Sequence, residues 1–202
     1  MHIKRQDEGQ LFLSGEWFVT LLASMAEIAS VYNTDKNSVH SYVSEMYENL
    51  FRDLRLTVKN VLEIGVHCGG SLCMWRDYFP HAVIYGVDVN DCKQLRCQQR
   101  IVHLVANAYC DETLKCLPKG FDVVIDDGDH TLESMIYVVQ RYTQKIVCGG
   151  LLVIEDIQDV SWCDRLYDVL PTGCVMNTYD MRHVKGRNDD VAVVVQTPGL
   201  MV

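Results

Sequence analysis

The sequence predicts an α/β, Rossmann-like fold: a seven-stranded, mostly parallel sheet with one antiparallel strand and helices on both faces. Between residues 58 and 169, short apolar runs alternate with segments of helical spacing. That alternation is typical of parallel strands joined by crossover helices. Two further apolar runs then follow each other without an intervening helix. Since parallel neighbours need a long crossover, we expect the last strand to be antiparallel.

The strands and helices of this sheet are predicted from apolar periodicity. The strands are expected at 58–64, 82–87, 101–105, 121–126, 150–155, 175–179 and 191–195. The helices are expected at 70–78, within 91–98, and at 111–117, 131–147 and 161–169.

Two more helical patterns precede the sheet, at 14–32 and 40–54. Each carries one apolar face, which favours packing on the rest of the chain. We therefore expect residues 1–56 to form an N-terminal helical extension on the core. Residues 57–202 are expected to form the principal domain as a single structural unit.

The composition excludes several classes of protein. The net charge of −9 argues against a nucleic-acid partner, because no basic surface is available to neutralise phosphates. Nine cysteines without a C-x-x-C pair indicate reduced thiols and a cytoplasmic protein rather than a disulfide framework or zinc site. The apolar run at 17–26 is shorter than the roughly 20 residues that cross a bilayer, so we expect no membrane insertion.

A glycine-bearing turn after the first strand predicts the cofactor. Gly65, Gly69 and Gly70 follow the strand with the spacing G-x-x-x-G-G, which differs from the G-x-G-x-x-G of dinucleotide sites. With Glu63 just before the turn, this favours S-adenosylmethionine (SAM), which has no pyrophosphate to bind. Asp88 ends the second strand, 23 residues after Gly65, where it can reach a ribose diol. The alternative is an ordinary strand-turn-helix.

Acidic residues end two neighbouring strands of the predicted sheet. Asp126 and Asp127 close the fourth strand, and Glu155 and Asp156 close the fifth. Ligands of open α/β sheets bind at this edge, and four carboxylates there need a cation or protons. Oxygen ligands suit Mg²⁺, so we expect a metal site. The alternative is helix capping and solvated strand ends.

A metal at this edge would have a use in methyl transfer to a hydroxyl. Coordination of a vicinal diol orients it and lowers the pKa of the reacting hydroxyl. His130, three residues after Asp127, is then expected to accept the proton as general base. The alternative is a structural histidine near a helix start.

Several segments together resemble the macrocin and demethylmacrocin O-methyltransferases, a group of sugar methyltransferases. The matches span about residues 31–162 and comprise Thr34-Asp35-Lys36 with His40, Tyr42, Tyr47 and Glu48, and the segments 61–66, 69–72, 74–80, 84–88, 125–130 and 149–156.

The resemblance implies a class I methyltransferase fold, SAM as cofactor and a divalent metal, Mg²⁺ or Mn²⁺. It implies Asp127, Glu155 and Asp156 as metal ligands, and His130 with Asp127 as catalytic residues. The residues expected along SAM are Thr34, Lys36, Glu63, Gly65, Gly69, Ser71, Asp88, Asn107 and Asp126. Asn107 departs from the family, which often has an acid there.

The implied function is metal-dependent methylation of a sugar hydroxyl, on a deoxysugar such as rhamnose in a glycan or glycoside. The alternatives are a catechol-type O-methyltransferase, an aminopropyltransferase, or a non-catalytic module that binds a glycosyltransferase. The expected partner is a sugar or glycan acceptor, with a homo-oligomer or a fusion to glycosyltransferase domains also open. The acceptor pocket is expected to involve the loop at 180–190.

Overall fold

A computed structural model describes residues 23–199 of the chain, which form a seven-stranded sheet with the order β3-β2-β1-β4-β5-β7-β6. The strands are β1 (Asn60–Ile64), β2 (Val83–Asp88), β3 (Ile101–Val105), β4 (Phe121–Asp126), β5 (Ile146–Ile154), β6 (Val175–Asp180) and β7 (Val191–Gln196). Strands β1 to β5 pair in parallel, whereas β7 is antiparallel to both β5 and β6. The predicted sheet with one reversed strand is therefore confirmed.

Short helices flank the sheet. The α-helices are α1 (Met25–Ala29), α2 (Asp35–Ser38), α3 (Glu48–Phe51), α4 (Gly70–Tyr78), α5 (Asp111–Cys116), α6 (Leu132–Tyr142), α7 (Trp162–Asp168) and α8 (Arg182–Lys185). A π-helical turn (Val43–Tyr47) runs directly into α3, and 3₁₀ turns occur at Lys93–Leu95 and Thr143–Lys145.

The boundary between the sixth helix and the fifth strand differs from the prediction. Helix α6 ends at Tyr142 rather than at 147, and β5 begins at Ile146 rather than at 150. The early part of β5 pairs with β4 in a shifted register, because Ile146 lies opposite Phe121 while Leu151 lies opposite Val123. A left-handed Gly149, with a φ of 75°, lies within this irregular stretch. Gly149 and Gly150, next to the predicted start at 150, thus lie inside the strand.

Within residues 23–56, the N-terminal helices are shorter than predicted. Of the pattern at 14–32, α1 is the described part, and residues 14–22 lie outside the described residues. The pattern at 40–54 forms the π-helical turn followed by α3 rather than one regular helix.

Aromatic side chains join this N-terminal segment to the sheet. Tyr47 and Phe51 are fully buried against α4, with ring centroids of Tyr47 and Trp75 5.0 Å apart and those of Phe51 and Phe79 5.4 Å apart. These residues belong to one apolar cluster with strand residues of the sheet. The proposed division at residue 56 is thus crossed by a shared core, and it stays a prediction. Within residues 23–199, no helix has the length and apolar character to span a bilayer.

Candidate active site

A cavity of about 610 Å³ opens at the carboxyl ends of β1, β2 and β4. The predicted cofactor contacts that line it are Thr34, Gly65, Ser71, Asp88 and Asn107. The other four do not line it but contact its wall. Lys36 forms an ion pair with Asp127, and Glu63 accepts a hydrogen bond from Ser71. Asp126 accepts a hydrogen bond from Tyr109, and the backbone N–H of Gly69 donates to the Val66 carbonyl oxygen. The position of the cavity agrees with the sequence prediction, whereas the contacts that these residues make with a cofactor stay a prediction.

Two glycines allow backbones to meet beside this cavity. Gly65 has a φ of 85°, and a Cβ there would lie 1.9 Å from the carbonyl oxygen of Asp127. A Cβ on Gly70 would lie 2.1 Å from the carbonyl oxygen of Asn33. Any larger residue would force these segments apart. The turn after β1 therefore lies against the end of β4, and residues 33–36 lie against the start of α4.

Asp88 organises the turn at one end of the cavity. Its Oδ2 accepts from the backbone N–H groups of Val66 at 2.8 Å and His67 at 3.1 Å, and its Oδ1 accepts from Asn90 at 2.7 Å. Partial burial opposes ionisation, but these backbone donors outweigh it and lower the pKa of Asp88. An ionised carboxylate thus borders the cavity, and its contact with a ribose diol stays a prediction.

A buried lysine compensates the acids behind the cavity. Lys36 is 1% exposed, and its Nζ lies 2.6 Å from Asp127 Oδ2, 3.2 Å from Glu63 Oε1, and in contact with Glu155. Burial disfavours the ammonium, yet the charges of Asp127, Glu155 and Glu63 raise the pKa of Lys36 well above its usual value. Tyr47 also donates to Glu155 Oε1 at 2.7 Å. Glu155, a predicted metal ligand, is therefore held by a lysine and a tyrosine.

A second group of possible ligands faces the cavity. Asp127, His130 and Asp156 bring ligand atoms within 4.8 Å of one another, and His130 Nε2 lies 3.7 Å from Asp156 Oδ2. Burial raises the pKa of Asp156, a hydrogen bond from Tyr42 opposes this shift, and the charge of Asp127 adds to it. The three residues line the cavity, so they are accessible to a cation or an acceptor.

His130 and Asp156 have strained backbones. Each has a φ of 54°, in the left-handed region that residues with a Cβ rarely occupy. Such conformations cost about 1–3 kcal/mol and concentrate at functional sites. Their occurrence at two neighbouring residues of one cluster is independent support for a functional role.

His40 and Asp190 lie behind Asp156. His40 Nδ1 is 3.1 Å from Asp190 Oδ1 and 3.4 Å from Asp156 Oδ1, and its ring stacks on Tyr42. The Tyr42 hydroxyl in turn accepts from the backbone N–H of Asp156 at 3.0 Å. His40, Tyr42 and Asp190 do not line the cavity, so these contacts hold Asp156 from outside it.

Tyr109 separates Asp126 from the cavity. Its hydroxyl donates to Asp126 Oδ1 at 3.0 Å and accepts from the backbone N–H of Asp129 at 3.1 Å. A Cβ on Gly128 would lie 1.6 Å from this hydroxyl, so a larger residue would displace the Tyr109 side chain from its present position. Burial raises the pKa of Asp126 to about 7, although the hydrogen bond from Tyr109 opposes the shift.

Sequence reasoning assigned no site role to several of these residues. The sequence indicates His40, Tyr42 and Tyr47 only through the family resemblance, and Asp190 only as the end of the loop expected to form the acceptor pocket. No signal points to Tyr109. They come from loops and from the π-helical turn, and tertiary packing brings them to the strand ends.

Comparison with known proteins finds relatives of this chain among the methyltransferases. Residues 62–157 match the family model described as a methyltransferase domain. The 8-demethyl-8-alpha-L-rhamnosyl tetracenomycin-C 2'-O-methyltransferase of Streptomyces olivaceus is 33% identical over 148 residues, which are 68% of this chain and 39% of the relative. The demethylmacrocin O-methyltransferase of Streptomyces fradiae is 34% identical over 146 residues, 67% of this chain and 37% of the relative. The matched part of the chain thus corresponds to under half of these relatives.

A solved structure shares the fold. The MycE methyltransferase from the mycinamycin biosynthetic pathway, solved in complex with Mg and SAH, aligns with a TM-score of 0.71 at 27% identity. The alignment covers 89% of this chain and 56% of that one. The predicted class I methyltransferase fold is confirmed by this similarity together with the observed strand order.

Proposed function

Because this chain is related to the macrocin-type sugar O-methyltransferases, we propose that it transfers a methyl group from SAM to a sugar hydroxyl with the help of a divalent cation. The observation that carries the proposal is the Asp127, His130 and Asp156 cluster, which opens into the same cavity as Asp88. The residues proposed for the cofactor and those proposed for the acceptor therefore face the same cavity. A deoxysugar such as rhamnose is the proposed acceptor, since the tetracenomycin relative is named for a rhamnosyl substrate.

The residues of the cavity suit SAM. Its volume of about 610 Å³ lies in the usual range for small-molecule sites, roughly 300–1,000 Å³. The ionised Asp88 can accept from both ribose hydroxyls. Buried Glu63 Oε1 accepts no well-directed hydrogen bond, although Lys36 lies near it, so it can receive one from the amino group of the cofactor.

The residues at the other end suit a hard divalent cation. Asp127 and Asp156 offer carboxylate oxygens toward the cavity, and Glu155 adjoins them. Oxygen ligands of this kind are preferred by Mg²⁺ and Mn²⁺. A cation held there would lower the pKa of an acceptor hydroxyl.

His130 is proposed to accept the proton of that hydroxyl. It lines the cavity, and the charge of the Asp156 carboxylate, 3.7 Å from its Nε2, stabilises the imidazolium that forms. Asp88 and Glu63 meanwhile position the cofactor.

The proposal is tested with purified protein, SAM and a panel of acceptors, read by mass spectrometry. We expect one methyl group on a rhamnosyl glycoside, no turnover in EDTA, and recovery with Mg²⁺ or Mn²⁺. Asp156→Asn should behave like the chelated enzyme, whereas Asp159→Asn, an exposed acid outside the cavity, should not. Methylation of a catechol alone would favour the catechol-type alternative, and full turnover in EDTA would refute the metal role.

A further inference from the structure

Lys36 connects the two halves of the site. Its ammonium is buried among Glu63, Asp127 and Glu155. Its backbone belongs to α2, just after Thr34 and Asp35, which line the cofactor cavity. Lys36 thus contacts the carboxylates proposed for the cation and directly follows the segment that lines the cavity proposed for SAM.

A cation on these acids would meet the ammonium. Lys36 Nζ lies 2.6 Å from Asp127 Oδ2 and also contacts Glu155 Oε2. Divalent ions bind carboxylate oxygens at about 2.0–2.6 Å. An ion on either of these oxygens would therefore lie a few ångströms from a second positive charge, where repulsion in a buried site is strong.

We infer that Lys36 competes with the divalent cation for Asp127 and Glu155, and that it acts as a positioning residue between the two halves of the site. The inference rests on the proposed function, since it presupposes a cation on these acids. Cation binding displaces the ammonium from Asp127 and Glu155. The contacts of this lysine help to hold residues 33–36 beside the cofactor cavity. Because cation binding breaks these contacts, the position of residues 33–36 depends on whether the cation is bound.

The competition is tested by titrating Mn²⁺ into the full chain in a calorimeter without cofactor. Removing the ammonium in Lys36→Met should tighten Mn²⁺ binding by on the order of tenfold, as expected for losing one nearby like charge. Lys36→Arg restores the charge and should bring the affinity back toward that of the wild type. A merely structural role would weaken cation binding or leave it unchanged.

Lys145 provides the matched control. It is also a buried lysine, but its Nζ donates to the Leu117 carbonyl oxygen at 2.7 Å, away from the acids. Lys145→Met should leave the Mn²⁺ affinity unchanged. If Lys36→Met binds Mn²⁺ no more tightly than the wild type does, the competition is refuted while the proposed function stands. Absence of binding by wild type and all variants would refute the cation site itself, and the inference with it.

A second measurement covers the case in which Lys36→Met does not fold, because it leaves several buried acids without their lysine. Crystals of the wild type with Mn²⁺ should place Lys36 Nζ beyond hydrogen-bonding distance of both Asp127 and Glu155. Retention of both contacts with the ion bound on these acids would overturn the inference.

Discussion

At the scale of single residues, burial decides the charge of Asp126 and hence part of the pH response. Its pKa is raised from 3.8 to about 7, chiefly by burial. Between these values the folded protein holds a proton that the unfolded chain has lost. The contribution of Asp126 to stability is therefore fully present below pH 3.8 and declines as the pH rises through about 7.

We expect Asp126→Asn to remove this dependence. Asparagine still accepts the hydrogen bond from Tyr109 but carries no charge to bury. The difference in free energy of unfolding, variant minus wild type, should grow with pH and reach about 1–3 kcal/mol above pH 7. Urea unfolding at several pH values measures this difference. Asp164→Asn, at an exposed position of α7, is the control. A difference independent of pH would contradict the assignment.

His130 is the residue on which the proposed proton transfer depends. His130→Ala should lower kcat by on the order of 10²–10⁴, the usual effect of losing a general base. Affinity for SAM, measured by calorimetry, should change little. His81→Ala, an exposed histidine outside the cavity, should retain wild-type kcat. If His130→Ala also retains it, Asp127 or a bound water must take the proton.

At the scale of elements, the contact between α4 and residues 33–36 shapes the cavity. Gly70→Ala should weaken SAM binding, because its Cβ would lie 2.1 Å from the Asn33 carbonyl oxygen and push that segment away. The loss should be on the order of 1–3 kcal/mol. Alanine is a better helix former than glycine by about 1 kcal/mol, so a loss cannot come from the helix itself.

Calorimetry with SAM checks this prediction. Gly199→Ala is the control, because no atom lies within 4 Å of a Cβ at Gly199. Wild-type affinity in Gly70→Ala would show that residues 33–36 do not shape the cofactor site.

The sequence predicted elements whose patterns are local and missed those that tertiary contacts decide. Alternating apolar runs indicated the sheet, and the acids at strand ends had to meet because parallel strands end at one edge. The start of β5 at Ile146 differs from the predicted 150, because pairing with β4 in a shifted register decides it and leaves no local signal in the sequence. Lys36 was placed near the cofactor by resemblance alone. No periodicity indicates that its side chain reaches Glu63, Asp127 and Glu155.

At the scale of the whole molecule, the N-terminal segment completes one face of the core. The residues of this segment that are at most 1% exposed include Met25, Tyr42, Val43, Met46, Tyr47 and Phe51. Burial of a large apolar side chain contributes about 1.5–3 kcal/mol. Together these side chains contribute an amount comparable with the net stability of a typical domain, about 5–15 kcal/mol.

We therefore expect residues 57–202 alone not to fold cooperatively. Removal of Tyr47 and Phe51 exposes Trp75 on α4 and Phe79, which follows this helix. Thermal unfolding followed by near-ultraviolet circular dichroism should show a sharp transition for the full chain and none for the fragment. A sharp transition in the fragment would establish residue 57 as the start of an autonomous domain.

The left-handed backbone of His130 also has an evolutionary consequence. Glycine accepts a φ of 54° without the cost of about 1–2 kcal/mol that a Cβ imposes. In a mutant library sorted for folding alone, glycine at 130 should therefore be enriched over the parental residue. The same library sorted for methyl transfer should deplete it. Sequencing both pools would show whether histidine at this position lowers stability in exchange for methyl-transfer activity. Depletion of glycine from both pools would show that the left-handed backbone at 130 involves no such exchange.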